Sequence, residues 1–252
     1  MRALVTNDDG IDSTGLRTLA GVAVDAGLDV IVAAPDTEYS GTSAAFTALE
    51  ADGRLLLHEH VLDGLGGVRA LAVEAAPGFI VFAAAQGAFG PPPELVLSGV
   101  NHGRNTGHAV LHSGTVGAAL TATTHGAPAL AVSLSAQCEQ WDTAAAVTRR
   151  VLDWLLQHPV RRPVVLNVNV PDVPLRRLRG LHAARLAAFG AVQADIGEVG
   201  EGYVTMTFRG ADAELEPGTD AALVADGWAT VTPLTAPCHA DGVDLTGLFD
   251  AG

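Results

Sequence analysis

Apolar residues fall along this chain in short runs of Ala, Val, Leu and Ile that stop at Gly, Pro or polar clusters. Ala3 to Val5 is a strand-length run ending in polar Thr6-Asn7-Asp8-Asp9-Gly10, and an apolar-periodic segment from about Thr14 to Ala26 closes at Gly27. That order predicts strand, loop and helix. Asp29 to Ala34 is a second strand, stopped by Pro35, and the polar stretch Asp36 to Ser43 reads as a loop. The alternation continues with Glu94 to Ser98 as strand, Ser113 to His125 as helix, Ala127 to Leu134 as strand, Trp141 to Gln157 as helix and Val164 to Val168 as strand. A chain that alternates in this way forms a parallel sheet covered on both faces, so the expected class is α/β: a Rossmann-like, doubly wound, mostly parallel sheet.

The rhythm changes near Leu175. Arg176, Arg177 and Arg179 make a small basic cluster, the stretch to Gly218 is Gly-rich, and Tyr203 to Phe208 alternates like a strand. An antiparallel C-terminal hairpin or arm is expected here, followed by a short helix from Thr219 to Gly227, a last strand from Trp228 to Pro233 and a loose terminus. The division is therefore a core over residues 1–175 and an arm with closing elements over residues 176–252.

Composition narrows the class. The 252 residues are 48% hydrophobic and 17% charged, and the mean hydropathy is +0.30. No uninterrupted apolar stretch reaches the roughly 18 residues that a membrane span requires. The N-terminal apolar run is too short for a signal peptide, so a cytoplasmic protein is expected. Net charge is −14, and all 14 cationic residues are Arg, with no Lys anywhere. Such a surface repels nucleic acid polymers and anionic lipid at long range, so an anionic substrate must be small and held by a local device such as a metal ion or a helix N-terminus. Cys138 and Cys238 show no metal-ligand or redox spacing, and two reduced thiols are expected.

Asp8 and Asp9 sit where a doubly wound sheet places its ligand crevice, at the carboxyl end of the first strand, and adjacent carboxylates there repel unless a cation neutralises them. Three further polar clusters occupy analogous positions: Ser40-Gly41-Thr42-Ser43, Ser98-Gly99-Val100-Asn101-His102-Gly103-Arg104-Asn105, and Ser113-Gly114-Thr115-Val116-Gly117 at a helix start. Asp, Asn and Ser oxygens suit a hard cation, Mg²⁺, Mn²⁺ or Ca²⁺, rather than zinc. Ser113 as N-cap followed by Gly114 leaves backbone N–H groups and a dipole end free to meet an anion without lysine. The missing lysine also excludes a P-loop nucleotidase and a receiver domain, and Asp8-Asp9 is not the Asp-x-Asp nucleophile motif of haloacid-dehalogenase phosphatases. No Gly-x-Gly-x-x-Gly follows the first strand.

Val5-Thr6-Asn7-Asp8-Asp9-Gly10-Ile11, Ala34-Pro35-Asp36 through Ser40-Gly41-Thr42-Ser43, Ser98-Gly99-Val100-Asn101 and Ser113-Gly114-Thr115-Val116-Gly117-Ala118-Ala119 together resemble the SurE family of 5'/3'-nucleotidases. The likeness covers roughly residues 1–170 and resumes at Gly218-Thr219-Asp220 and Val231-Thr232-Pro233-Leu234. It implies one divalent cation per subunit, held by Asp8, Asp9, Ser40 and Asn101, and a phosphate or substrate site lined by Asn7, Gly41, Asn105, Ser113, Gly114 and Thr115. A cation in that position would polarise phosphoryl oxygens and activate water as the nucleophile. Asp8 and Asp9 are then the catalytic candidates, either of them orienting the water. The family's arm exchanges between subunits, so the resemblance also implies a homodimer or homotetramer.

The sequence departs from the family pattern in two places. Family members commonly carry an acidic pair and a tyrosine before Ser-Gly-Thr, whereas this chain has His108-Ala109 and His112, which makes His108 and His112 candidate substrate contacts or proton donors. Residues 180–215 are shorter and less polar than the usual arm. Three readings follow: a nucleoside 5'- or 3'-monophosphate phosphatase, a phosphatase specialised for another small phosphorylated metabolite, and a non-catalytic metal- and nucleotide-binding homologue.

Overall fold

The structure, a computed structural model, describes residues 1–48, 50–51, 53–135, 139–158, 160, 162–188, 192–200, 203–210 and 215–237. Both cysteines and most of the expected loose terminus lie outside these residues. In the first half, β1 (Arg2–Thr6), α1 (Thr14–Asp25) and β2 (Asp29–Pro35) are followed by short strands β3 (Glu50–Ala51) and β4 (Arg54–Leu55), then β5 (Leu57–His60), β6 (Arg69–Val73) and α2 (Pro77–Ala85). The second half runs β7 (Leu95–His102), α3 (Gly114–Thr124), β8 (Ala129–Leu134), α4 (Trp141–Gln157), β9 (Val165–Val170), β10 (Leu181–Ala183), β11 (Val192–Gly200), β12 (Tyr203–Gly210), α5 (Asp220–Ala225) and β13 (Ala229–Leu234).

One nine-stranded sheet has the order β10-β13-β9-β8-β7-β1-β2-β6-β5. The strands from β9 through β6 run parallel; β5 joins β6 antiparallel and β13 joins β9 antiparallel. Side-chain alternation sorts each strand between two cores. Ala3 and Val5 face α1 and α4 with Leu16, Leu19, Val151 and Leu152, while Leu4 faces α2 and α3 with Ile80, Val81, Val116 and Ala119. Full burial of each such Leu or Ile stabilises the fold by ~1.5–3 kcal/mol, so the two layers and not helix propensity hold the sheet closed. β11 and β12 pair antiparallel as a separate ribbon, in the region expected to form the arm. The last strand of the described residues, β13, enters the main sheet between β9 and β10.

Two differences from the sequence reading matter. The stretch from 50 to 85 gave no expected elements, yet it supplies the edge pair β5–β6 and α2. Helix α2 has no polar face to mark it: none of its residues is exposed, and Gly78 lies close enough to the Ala44–Ala45 backbone that a β-carbon would stand 3.2 Å from it. The strand beginning at Leu95 does not stop at Ser98 but continues to His102, with a register shift against β8 between Ser98 and Asn101. Among the described residues no helix is long and apolar enough to cross a membrane.

Candidate active site

Strand order reverses between β1 and β7, because the chain builds outward to β2 and β6 on one side and to β8 and β9 on the other. Loops leaving the carboxyl ends of β1 and β7 therefore diverge and leave a crevice, the place where doubly wound sheets bind ligands. Asp8 and Asp9 follow β1, and Asn101 and His102 end β7.

The acidic turn is rigid. The Asn7 amide nitrogen donates to Gly10 O at 3.0 Å and to Ser13 Oγ at 2.7 Å, and Ser13 in turn caps α1 by accepting from Leu16 N. Asn7 is fully buried, and its side-chain oxygen has no partner among the described residues. Asp8 is 4% exposed; its Oδ1 accepts from Thr115 Oγ1. Burial pushes the Asp8 carboxyl above its ordinary range, opposed by the Thr115 hydroxyl and by backbone N–H groups of residues 8, 115 and 114. Asp9, less enclosed, accepts from His102 N at 3.2 Å. Burial first and the Asp8 charge second raise it to about 6, with the His102 amide working the other way. Among the described residues neither aspartate takes part in an ion pair. Among the described residues no arginine thus neutralises either carboxylate, and the attraction of the His102 ring for Asp9 is outweighed by burial and by the Asp8 charge.

Opposite them, α3 begins. Ser113 caps it, accepting from Val116 N at 3.0 Å. Two glycines let the helix approach: a β-carbon on Gly114 would stand 2.8 Å from Asp8 Cβ and Oδ2, and one on Gly117 would stand 2.4 Å from the Ser43 backbone. The loop after β2 closes the third side. Tyr39 N donates to Asp8 O, Ser43 N to His112 O, and Ser43 Oγ to Leu111 O. Ser40 Oγ donates to Glu38 Oε1 at 2.7 Å.

Asn105 closes the fourth side and is held by buried asparagines of β9. Its N–H donates to Asn169 Oδ1, its carbonyl accepts from Asn167 and Asn169, and its side-chain amide donates to Ser133 Oγ on β8. Asn101 donates its amide to Gly103 O at 2.6 Å, which leaves its carbonyl oxygen as the available ligand atom.

These elements enclose a hollow of about 220 Å³, lined by Asp8, Ser40, Gly41, Asn101, Asn105 and Ser113 together with His102, Ala109 and His112. Seven residues singled out in the sequence, these six and His112, therefore meet on one surface, whereas Asp9 stands beside it without lining it. Thr115 and Asn7 lie behind it, fully buried, the first holding Asp8 and the second holding the turn. Gly114 contributes closeness to Asp8 rather than a lining atom. His112 reaches the hollow; His108 is exposed and does not line it. His102, inside the polar cluster after Ser98, is not among the expected site residues because that cluster is read for its oxygen donors. Ser133, Asn167 and Asn169 were missed too, although polar residues two apart in the buried run Val165–Val170 are a readable anomaly.

Among the described residues no three His, Cys, Asp or Glu side chains cluster tightly enough to hold a metal by themselves. The donor chemistry is instead two carboxylates with hydroxyl and carboxamide oxygens, which fits a hard divalent cation and not a soft one.

The family model described as "Survival protein SurE" matches residues 3–191. The chain is 38% identical over 238 residues to the 5'/3'-nucleotidase SurE of Escherichia coli O127:H6, covering 93% of this chain and 90% of that protein. It is 38% identical over 245 residues to the 5'/3'-nucleotidase SurE of Edwardsiella ictaluri, covering 96% and 92%. The crystal structure of the SurE protein from Aquifex aeolicus superposes with a TM-score of 0.79 at 25% identity over 95% of each chain.

Proposed function

The chain belongs to the SurE family, and we propose that it is a divalent-cation-dependent phosphomonoesterase acting on nucleoside 5'- and 3'-monophosphates. The observation that carries this reading is the shared hollow, in which Asp8, in no ion pair among the described residues and with Asp9 beside it in the chain, meets the capped N-terminus of α3. A phosphate monoester needs a cation on one side and amide donors on the other, and this hollow offers sites for both.

Asp8, Asp9, Ser40 and Asn101 would hold one Mg²⁺ or Mn²⁺ per subunit, whose chemistry there is to neutralise phosphoryl oxygens and make bound water acidic. The side chains divide the remaining work. Asp8 is fixed from behind by Thr115, so it serves position; Asp9, the more open carboxylate, orients the attacking water. Ser113 and the first amides of α3, with Asn105 and Gly41, bind the phosphoryl oxygens. Water oxygen attacks phosphorus, the ester P–O bond breaks opposite, and the alcohol departs with a proton, leaving inorganic phosphate. His112 and His102, on the hollow's surface, are placed to meet that alcohol.

A second reading, a phosphatase specialised for another small phosphorylated metabolite, is favoured by Ala109 and His112 in the hollow where the family commonly shows acidic and tyrosine side chains. Both readings take a small phosphorylated substrate, with no nucleic acid polymer and no membrane as partner. Both take a homodimer or homotetramer as the assembly, which light scattering tests. The deciding experiment is phosphate release from nucleoside monophosphates and p-nitrophenyl phosphate, with Mn²⁺, Mg²⁺ or EDTA, beside Asp8→Asn. Cation-dependent release that disappears in the variant supports the first reading; release from p-nitrophenyl phosphate but from no nucleotide supports the second. A folded protein silent on every ester overturns both in favour of a binding role.

A further inference from the structure

Asp220 is fully buried and does not line the hollow, yet its carboxylate reaches the hollow's supporting chain. Its Oδ2 accepts from Gly107 N at 2.9 Å, and its Oδ1 accepts from Ala187 N at 2.9 Å and Ala221 N at 2.8 Å. Among the described residues it forms no ion pair. A buried carboxylate with no cation is costly to keep. Helix capping does not account for it, because Thr219 already caps α5 by accepting from Ala222 N at 3.4 Å.

The contact with Gly107 spans 113 positions of sequence. Gly107 opens the 3-10 turn Gly107–Leu111, with φ of 55°, and this turn runs directly into His112 and the cap Ser113. Two residues earlier, Asn105 is held by β8 and β9 through Ser133, Asn167 and Asn169. The segment from Asn105 to Ser113 is thus pinned at Asn105 by the sheet and at Gly107 by α5. Among the described residues the far end of the turn is held only from the loop after β2, through Ser43 on Leu111 and His112, so without the Gly107 contact its positive-φ start loses its tie to α5 and can shift relative to Asn105.

We propose that Asp220 is a positioning residue for the substrate-side wall of the hollow, fixing the 107–112 turn and so the spacing between Asn105 and Ser113 on which phosphate binding depends. This rests on the phosphomonoesterase reading for its consequence in catalysis, but the wall itself is read by phosphate binding alone.

Asp220→Asn keeps the size of the side chain and exchanges one acceptor for a donor. The orientation that sacrifices fewest bonds keeps oxygen on Ala187 and Ala221 and turns the NH₂ against Gly107 N–H. The expected result is a rise of about tenfold in KM for p-nitrophenyl phosphate and in Kd for inorganic phosphate, with kcat within about threefold and Mn²⁺ affinity within about twofold of the parent. Thr219→Val removes the neighbouring cap without touching Gly107, so it lowers the melting temperature but leaves both phosphate constants in place. Native-state hydrogen exchange on the parent protein adds a measurement that needs no variant, since the Gly107 amide belongs among the slowly exchanging ones. Unchanged phosphate affinity in Asp220→Asn, an equal loss in Thr219→Val, or a rapidly exchanging Gly107 amide overturns the proposal. A parent protein that binds phosphate but hydrolyses no ester removes the catalytic reading and leaves the positioning role standing. One that binds no phosphate removes both.

Discussion

Gly114 and Asp8 are packed so closely that a single methyl group does not fit between them: a β-carbon on Gly114 would lie 2.8 Å from both Cβ and Oδ2 of Asp8. Asp8 has no room to retreat, being buried and held by Thr115. Gly114→Ala therefore displaces the carboxylate or the start of α3. A misplacement of about 1 Å at a reacting centre costs on the order of 10²-fold in rate. The variant is expected to fold, with a melting temperature near the parent's, and to lose at least about tenfold in cation-dependent kcat/KM. Parent-like activity in steady-state assays would show that Asp8 has no fixed role.

Thr115 is expected to act through the same carboxylate. Its hydroxyl lowers the proton affinity of Asp8 against the larger, opposite effect of burial. Thr115→Val keeps the shape and removes the donor, so Asp8 holds its proton to higher pH. The ionised form is the one a cation needs; the acid limb of the kcat/KM profile accordingly moves toward higher pH. At its plateau, the loss of one charge-assisted bond costs roughly tenfold. A pH–rate profile with an unmoved acid limb contradicts this coupling.

Much of the site was readable because it uses local chemistry. Strand, acidic turn and helix cap are each written within a few consecutive residues, so Asp8, Asp9, Ser113 and Gly114 could be placed before any tertiary structure was known. What escaped depends on packing. Helix α2 is enclosed by α3 and by the loop at Ala44, so its apolar residues show no period that distinguishes helix from strand. The β7 strand reads as ended at Ser98-Gly99 because glycine and serine mark turns, but here Gly99 sits against β8 with room for no side chain, 2.2 Å from Val132 O at the β-carbon position. Asp220 is the extreme case. Its partner is set by the arrival of α5 beside Gly107, which no local pattern encodes.

The acidic pair also predicts how stability responds to pH. In the metal-free protein Asp9 is raised from 3.8 to about 6, so the fold binds its proton more tightly than the unfolded chain does. Its stabilising contribution is full below about pH 4 and is lost as pH rises through about 6. A divalent cation reverses the balance, since it binds only the ionised pair. At 100 times Kd, bound Mn²⁺ stabilises by about 2.7 kcal/mol, which for a chain of this size raises the melting temperature by roughly 5–10 °C. Thermal scans with and without Mn²⁺ are expected to show that rise near pH 8 and little of it near pH 5. An equal rise at both values, or none at pH 8, is incompatible with a cation on Asp8 and Asp9.

The two histidines before the Ser113 cap are expected to differ, because His112 lines the hollow and His108 points to solvent outside it. If His112 delivers the proton to the departing alcohol, its value depends on the leaving group. A ribose oxygen leaves poorly as an alkoxide, and general-acid help there is worth about 10²–10⁴-fold. p-Nitrophenolate is a stable anion and leaves without a proton. His112→Ala is therefore expected to lower kcat/KM for nucleoside monophosphates by about 10²-fold while changing p-nitrophenyl phosphate by less than about threefold. His108→Ala is expected to leave both within about twofold. The comparison separates chemistry from binding: a side chain that only holds the phosphoryl group affects both esters alike, and an equal loss on the two substrates would assign His112 to binding instead.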